Sequence, residues 1–134
     1  DARIARDGFA VHAMHDPTEG GLATGLREIA GASGVGLEID SDAVLVYAEC
    51  ESFCRALGMN PWGLIASGAL LISLPDTEAQ RCVDALDANG VGASIIGRAT
   101  PPDERLKLIA EGRERQFPEF ARDEIARIFA ETPD

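Results

Sequence analysis

A six-residue segment rich in turn-forming residues constrains this chain more than any other feature. It reads Asp-Pro-Thr-Glu-Gly-Gly over residues 16–21. Residues 9–15, before it, alternate between two faces as a strand does. Residues 22–32, after it, carry apolar side chains at helical spacing. The segment therefore predicts a turn that joins a strand to the N-terminus of a helix.

The rest of the chain interleaves further strand-like and helix-like stretches. Strands are predicted over residues 35–39, 69–74, 93–97 and 106–109, and helices over residues 49–57, 76–89 and 119–130. Gly34 and Gly58 stand where a left-handed cap ends a helix. The stretch 69–74 is nearly all apolar, which predicts burial on both faces. The alternation predicts one domain over residues 1–134, of the α/β (α+β) class, with a mixed β-sheet flanked by helices.

Two of these helices carry more specific expectations. Asp76 or Thr77 is expected to cap the helix that starts there, because both side chains accept hydrogen bonds from free helical amides. In the last helix, Ile125, Ile128 and Phe129 are expected to face inward.

Length and charge limit the classes of partner. A chain of 134 residues, 46% of them hydrophobic, is in the range of one globular domain. Its formal net charge of -11 repels nucleic acid and anionic lipid, so neither is an expected partner. No apolar run reaches the roughly 20 residues that span a bilayer, and the start has no signal-peptide pattern, which favours a cytoplasmic protein. A phosphate ligand stays compatible, since backbone N–H groups and a metal ion supply positive field locally.

The three cysteines, Cys50, Cys54 and Cys82, lack the spacing of a zinc site or a disulfide framework. An odd set of this kind is typical of reduced cytosolic thiols. Cys50 and Cys54 share one face of a predicted helix, which permits a metal or redox role in principle. Two thiols are too few for a closed zinc site, so packing is favoured for all three.

The segment 16–21 can also carry chemistry. A helix N-terminus presents free N–H groups and a partial positive charge, and glycines let a phosphate approach the backbone closely. In this interpretation Gly20 and Gly21 line an anion site, the Thr18 hydroxyl donates to a phosphoryl oxygen, and Asp16 holds a metal or orients a water. His15 is a candidate acid or base beside Asp16.

An alternative interpretation is purely structural, because Asp16 or Thr18 can simply cap the helix. From the residues alone that alternative is favoured, since Gly-Gly turns are far commoner than anion sites. Metal ligation by His12 and His15 together is disfavoured, because residues three apart on a strand point to opposite faces, and it would require a break in the strand. Trp62, after a proline turn, is interpreted as a packing anchor. The cluster Arg113, Arg115 and Arg122 is interlaced with acidic residues and is interpreted as a solvated face.

The surroundings of the segment add a family resemblance. The string His-Ala-Met-His-Asp-Pro-Thr-Glu-Gly-Gly-Leu-Ala at residues 12–23, followed by Ala-Ser-Gly-Val-Gly at residues 32–36, resembles the opening of the C-terminal domain in the AIR-synthase superfamily. The nearest branch is the HypE-like one. Ser-Gly-Ala-Leu-Leu at residues 67–71 and Ile-Ile-Gly-Arg at residues 95–98 agree with it, in the expected order.

The resemblance implies a two-domain, ATP-using protein. An N-terminal domain, apparently absent from this chain, would dimerise and supply most ligands for ATP and Mg²⁺, and the C-terminal domain would close over the nucleotide. Family members activate an oxygen or selenium centre by phosphoryl transfer. By this resemblance, Asp16, Thr18, Gly20 and Gly21 face the nucleotide. The isolated domain is expected to be inactive, with no tightly bound cofactor, and the full-length protein is expected to be a homodimer.

Three departures from the HypE-like pattern bear on the reaction. HypE-like members dehydrate a thiocarboxamide on a C-terminal cysteine, whereas this chain ends Ala-Glu-Thr-Pro-Asp. Glu19 stands where an arginine usually precedes the glycine pair, and Ser67 stands where a glutamate usually precedes the later glycine. These differences predict a relative with another substrate, or a non-catalytic maturation or scaffold module that kept the fold and lost the reaction, unless a cysteine-bearing tail has been removed from the chain.

The first residues read Asp-Ala-Arg-Ile, with no initiating Met, and pass directly into a helix-like segment. Such a start is expected of a domain cut from a longer protein. Processing, or a short natural protein, is the alternative.

Overall fold

Two β-sheets of different size organise residues 1–130. In the computed structural model, which describes residues 1–130, strands β1 (Ala13–His15) and β3 (Leu71–Ser73) form an antiparallel pair. The larger sheet has the order β4-β2-β5-β6. Its strands are β2 (Gly36–Asp40), β4 (Gly97–Thr100), β5 (Leu106–Ala110) and β6 (Arg113–Arg115). β2 runs parallel to β5, and the other two pairings are antiparallel.

Five α-helices accompany these sheets in the described part of the chain. They are α1 (Ala2–Gly8), α2 (Gly21–Ser33), α3 (Ala48–Leu57), α4 (Asp76–Asp87) and α5 (Glu124–Ala130), and short 3-10 turns occupy Ser41–Ala43, Pro61–Gly63 and Pro102–Glu104. Strands and helices alternate along the chain, and the larger sheet is mixed. The predicted α/β class with a mixed sheet is therefore confirmed.

Most of the buried apolar side chains within residues 1–130 form two clusters. The first joins α2 to the four-stranded sheet and contains Ala23, Leu26, Ile39 and Phe117. The second joins α1 and α4 to the two-stranded sheet and contains Ala5, Cys82 and Leu86. Because α2 also contacts β1, it lies between the two sheets and connects the clusters.

Glycine caps end α2 and α3 as the sequence predicts. Gly34 and Gly58 have φ of 65° and 62°, the left-handed region that glycine adopts without a Cβ penalty. The amide of Gly34 donates to Ala30 and Gly31, and that of Gly58 donates to Cys54.

Several predicted strands differ in extent or burial. The strand expected at residues 93–97 lies instead at Gly97–Thr100, because the register with β2 begins at Gly97, just after the Ile96 carbonyl oxygen accepts from the Asp40 amide at 2.8 Å. Gly97 lies so close to the backbone of Glu38 and Ile39 that a Cβ would clash with it. β1 spans only the last three of its seven predicted residues, and β3 is half-buried rather than buried on both faces. β6, an exposed and wholly charged strand, carries no apolar alternation by which it could be predicted.

Two expectations about helices are also wrong. α4 has Pro75 at its N-cap and no side-chain cap, so neither Asp76 nor Thr77 caps it. α5 begins at Glu124 rather than at residue 119. Of the three residues expected to face inward, Ile125 and Phe129 are 39% and 77% exposed, whereas Ile128 is half-buried.

The late start of α5, five residues after the predicted one, has a packing cause. Phe117 is buried in the first cluster and Phe120 packs against it, so the chain over these residues is drawn onto the core outside any helix.

No helix within residues 1–130 combines the length and apolarity required to cross a membrane.

We expect Leu26→Ala to lower the free energy of unfolding by about 2–5 kcal/mol, because truncating a buried leucine leaves a cavity. Leu26 is 3% exposed in the first cluster. Leu45→Ala is the matched control, since Leu45 is 65% exposed and its truncation removes little packing. Urea unfolding curves of the two variants measure the difference. Equal losses would contradict the placement of the core.

Candidate functional site

The loop between β1 and α2 is held mainly by its own backbone. The amide of Thr18 donates to the carbonyl oxygen of Asp16 at 2.9 Å. The Thr18 carbonyl oxygen accepts from the amides of Gly21 and Ala66, each at 3.2 Å. Pro17 is buried against Gly25, where an added Cβ would lie 2.5 Å from the proline ring. The loop is therefore fixed to α2 on one side and to the segment before β3 on the other.

Both glycines of the pair are required by the backbone. Gly20 and Gly21 have φ of 76° and 65°. A Cβ on Gly21 would lie 2.7 Å from the carbonyl oxygen of Trp62 and would also clash with the carbonyl of Leu64. The glycine pair thus lets the start of α2 approach the turn at residues 61–64, whatever else the loop binds.

Capping by a side chain is wrong for both residues that the alternative named, because neither the Asp16 nor the Thr18 side chain bonds to the start of α2. Gly20 is the N-cap of α2, and the amide of Gly21, the first residue of the helix, is satisfied by the carbonyl oxygen of Thr18. Instead, the amide of Gly20 donates to Oδ2 of Asp123 at 2.9 Å. Asp123 is 103 residues away along the chain. Local spacing carries no signal for such a contact.

The side chains of Asp16, Thr18 and Glu19 are exposed. Within residues 1–130 they make no hydrogen bond or ion pair. Their oxygen atoms are thus available to a ligand. The chemical groups that the sequence singles out at this loop are accessible.

His15 and Asp16 also border a shallow surface pocket of about 450 Å³. The other residues around it are Asp1, Ala2, Met14, Gly68, Ala69 and Leu70. The fold thus brings His15 and Asp16 beside Gly68, which follows Ser67. Thr18, Gly20 and Gly21 do not line this pocket, so the five candidate residues divide between the pocket and the helix N-terminus.

His15 has a partner that the sequence interpretation missed. Its Nε2 lies 2.8 Å from Oε2 of Glu28, and its side chain is 30% exposed. A carboxylate beside Nε2 favours the proton on that nitrogen, which leaves Nδ1 as an acceptor. His12 is exposed and lies before β1. Residues 1–130 hold no group of three His, Cys, Asp or Glu side chains arranged to bind a metal ion.

The C-terminal residues 117–127, here called the strap, lie against this region. The Arg27 guanidinium donates to the Pro118 carbonyl oxygen at 3.1 Å and lies 5.1 Å from the centre of the Phe117 ring. Phe120 occupies the space beside Gly63, where a Cβ would be 2.6 Å from its ring. Oε2 of the buried Glu124 accepts from the Asn60 amide at 2.8 Å. The strap therefore joins the first turns of α2 to the turn at residues 60–63.

The remaining candidates have structural roles. Cys54 and Cys82 are buried, as the packing interpretation predicts, and Cys50 is half-buried. Burial, followed by the neighbouring Cys50, raises the pKa of the Cys54 thiol. Burial also raises the pKa of Cys82.

The ring of Trp62 meets that of Phe117 edge-on at 6.2 Å, which confirms a packing anchor. The cluster Arg113, Arg115 and Arg122 is exposed, as predicted.

Comparison with known proteins defines the class. Residues 1–109 match the family model of the AIR synthase related protein, C-terminal domain. The chain therefore belongs to the family of AIR synthase-related C-terminal domains. Its branch is HypE-like, because the relatives described next carry hydrogenase-maturation names.

Two curated relatives illustrate the branch. A putative hydrogenase expression/formation protein of Methanocaldococcus jannaschii is 36% identical over 100 residues, which cover 73% of this chain and 30% of that protein. The carbamoyl dehydratase HypE of Rhodobacter capsulatus is 38% identical over 91 residues, covering 66% of this chain and 27% of the relative. The chain thus spans about 30% of the length of these relatives.

Solved structures agree with the fold. A crystal structure of HypE from Escherichia coli superposes with a TM-score of 0.81 at 28% identity, over 95% of this chain and 40% of that one. A structure of HypE in complex with ATP gives a TM-score of 0.75 at 28% identity, over 84% and 37% of the two chains. A HypE–HypF complex gives 0.75 at 26% identity, over 84% and 38%.

We expect Gly21→Ala to destabilise the domain by more than 1 kcal/mol, because it places a Cβ against backbone carbonyls at a left-handed φ. Gly31→Ala is the matched control, since Gly31 lies within α2 with open space around it. Alanine there is expected to stabilise by about 0.5–1 kcal/mol. Thermal or urea unfolding measures both. A neutral Gly21→Ala would contradict the described packing of the loop.

We expect the three thiols to react with a disulfide reagent in two phases at about pH 8, because only Cys50 is partly accessible and raised pKa values keep Cys54 and Cys82 protonated. Cys50→Ser should remove the fast phase and leave two slow thiols. Absorbance of the released reagent records the phases. Three thiols reacting together in the folded protein would be inconsistent with the described burial.

Proposed function

We propose that this chain is the C-terminal domain of an ATP-dependent protein of the HypE-like branch, and that residues 16–21 face a phosphate of the nucleotide or of a phosphorylated intermediate. The observation that carries the proposal is the loop itself. A left-handed glycine pair opens a 13-residue helix beside the accessible Asp16 and Thr18 side chains. The complex of HypE with ATP supports the choice of nucleotide.

The loop has the groups that a phosphate requires. The first turn of α2 provides backbone N–H donors in the positive end of the helix dipole. The exposed Thr18 hydroxyl can add a further donor, and the Asp16 carboxylate is the kind of oxygen ligand that Mg²⁺ prefers. One carboxylate suits an ion that keeps waters and phosphate oxygens in its coordination shell. When bound, Mg²⁺ would neutralise charge on the phosphoryl oxygens.

The site is completed elsewhere in the proposed protein. Since the chain spans about 30% of its curated relatives, we assign the other nucleotide and metal ligands to an N-terminal domain of the same polypeptide. That domain would also form the homodimer. The isolated domain is then inactive and binds ATP weakly. The cysteine set, without disulfide-framework spacing, supports a cytoplasmic location.

His15 is assigned to proton transfer next to Asp16. With Nε2 held by Glu28 at 2.8 Å, Nδ1 is the atom that would accept a proton from an attacking group. The pocket that His15 and Asp16 border is the place where that group would bind. In this proposal the substrate binds in the pocket, and the phosphate binds at the N-terminus of α2.

A second function is a maturation or scaffold module without catalysis. Glu19 favours it, because this acidic side chain stands beside the anion site where HypE-like members carry an arginine. Ser67 also favours a module without catalysis, because it stands where HypE-like members carry a glutamate. The structure of a HypE–HypF complex shows that HypE assembles with another protein. A scaffold would keep this kind of contact without turnover.

ATP hydrolysis by the longest natural polypeptide containing this domain separates the two functions. We expect Asp16→Asn to reduce kcat about 100-fold or more and Thr18→Val about tenfold, as is usual when a preorganised charge or donor is lost. Asp103→Asn is the control, because Asp103 is exposed in the turn Pro102–Glu104, outside the loop. Unchanged turnover in both loop variants would exclude the loop assignment. No turnover in the parent protein would favour the scaffold.

A further inference from the structure

A single carboxylate links the starts of two helices. Oδ2 of Asp123 accepts from the amide of Gly20, the N-cap of α2, at 2.9 Å. Its Oδ1 accepts from the amide of Ile125 at 3.0 Å, and its carbonyl oxygen accepts from that of Ala126 at 3.1 Å. Asp123 therefore caps α5 while it bonds to the amide of the N-cap residue of α2.

This carboxylate has the chemistry of the ligand assigned to the loop. Carboxylate and phosphoryl oxygens both accept charge-assisted hydrogen bonds from backbone N–H groups, and both are favoured at a helix N-terminus. The Gly20 amide has one hydrogen. An anion that takes this hydrogen must displace the Asp123 oxygen.

The rest of the strap is anchored independently of Asp123. Phe117 is buried in the first cluster, and Arg27 holds the Pro118 carbonyl. Glu124 is bonded to the Asn60 amide. The Asp123 side chain can thus leave Gly20 by rotation while the strap stays on the core.

We propose that Asp123 is an internal anion that competes with the phosphate ligand for the Gly20 amide, so that ligand binding is coupled to the capping of α5. The proposal rests on the function assigned to the loop above. Coupling between two sites is reciprocal. Any contact that holds Asp123 on Gly20 therefore lowers the affinity of the loop for its ligand, and binding of the ligand destabilises the first turn of α5. The strap thereby sets the affinity of the loop.

Titration of this chain with inorganic phosphate, followed by the amide resonances of Gly20 and Gly21, tests the competition. We expect Asp123→Asn to bind phosphate about tenfold more tightly than the parent chain, which corresponds to about 1.4 kcal/mol. Glu119→Gln is the matched control. It removes one negative charge from the same strap, and Glu119 is exposed and contacts Arg27 at 3.8 Å rather than Gly20. The control should change the Kd less than twofold.

Hydrogen exchange provides a second measurement that is insensitive to the overall charge. In the parent chain, saturating phosphate should accelerate exchange of the Ile125 amide, because that amide loses Oδ1 of Asp123 when the carboxylate moves. If Asp123→Asn does not fold, Asp123→Ser keeps a side-chain cap for α5 and removes the charge.

The outcomes distinguish the two proposals. Equal phosphate affinity in the parent and in Asp123→Asn, or equal tightening by Asp123→Asn and Glu119→Gln, overturns the competition and leaves the loop assignment intact. Unchanged Ile125 exchange at saturation also overturns it. Absence of any shift at Gly20 and Gly21 in every variant overturns the loop assignment and the competition together.

Discussion

The close approach of Gly21 to the carbonyl groups of Trp62 and Leu64 is the constraint on which the rest of the structure depends. It fixes where α2 begins, and α2 lies between the two sheets. Once the start of α2 is fixed, Ala23 and Leu26 face the four-stranded sheet, and Pro17 fits against Gly25. A side chain at residue 21 would separate the helix from the turn at residues 61–64. The glycine pair is thus a packing requirement first, and an anion site is compatible with it.

The same region shows how a single domain can carry structural and functional demands together. The strap buries Phe117, pairs with Arg27 and bonds to Asn60 through Glu124. These contacts stabilise the fold by burial and by satisfying backbone groups. They also place Asp123 at the positive end of α2. An acidic residue there stabilises the helix, because a negative charge is favoured near a helix N-terminus.

The sequence predicted the elements whose signals are local. α2 and α3 have apolar stripes and glycine caps, and both appear with nearly the predicted bounds. The elements that differ depend on partners. Residues 93–96 are apolar enough for a strand, but the register of β4 with β2 begins at Gly97, and of these residues Ile96 bonds to β2 through its carbonyl oxygen. Residues 119–123 have helical spacing, yet Phe120 packs on the core outside the helix. α5 begins only at Glu124, directly after its capping residue Asp123.

For the candidate site, the sequence by itself determined which groups are present and in what order: a strand, the Asp16 to Gly21 segment, and a helix whose free amides attract anions. These follow from backbone preferences of neighbouring residues, which act over a few positions. Only the tertiary structure decided that Glu28 orients His15, that His15 and Asp16 border a pocket with Gly68, and that Asp123 bonds to the amide of Gly20. Those contacts join residues 13 to 103 positions apart, or residues on separate segments. They depend on how the sheets and the strap pack, and no local pattern encodes that arrangement.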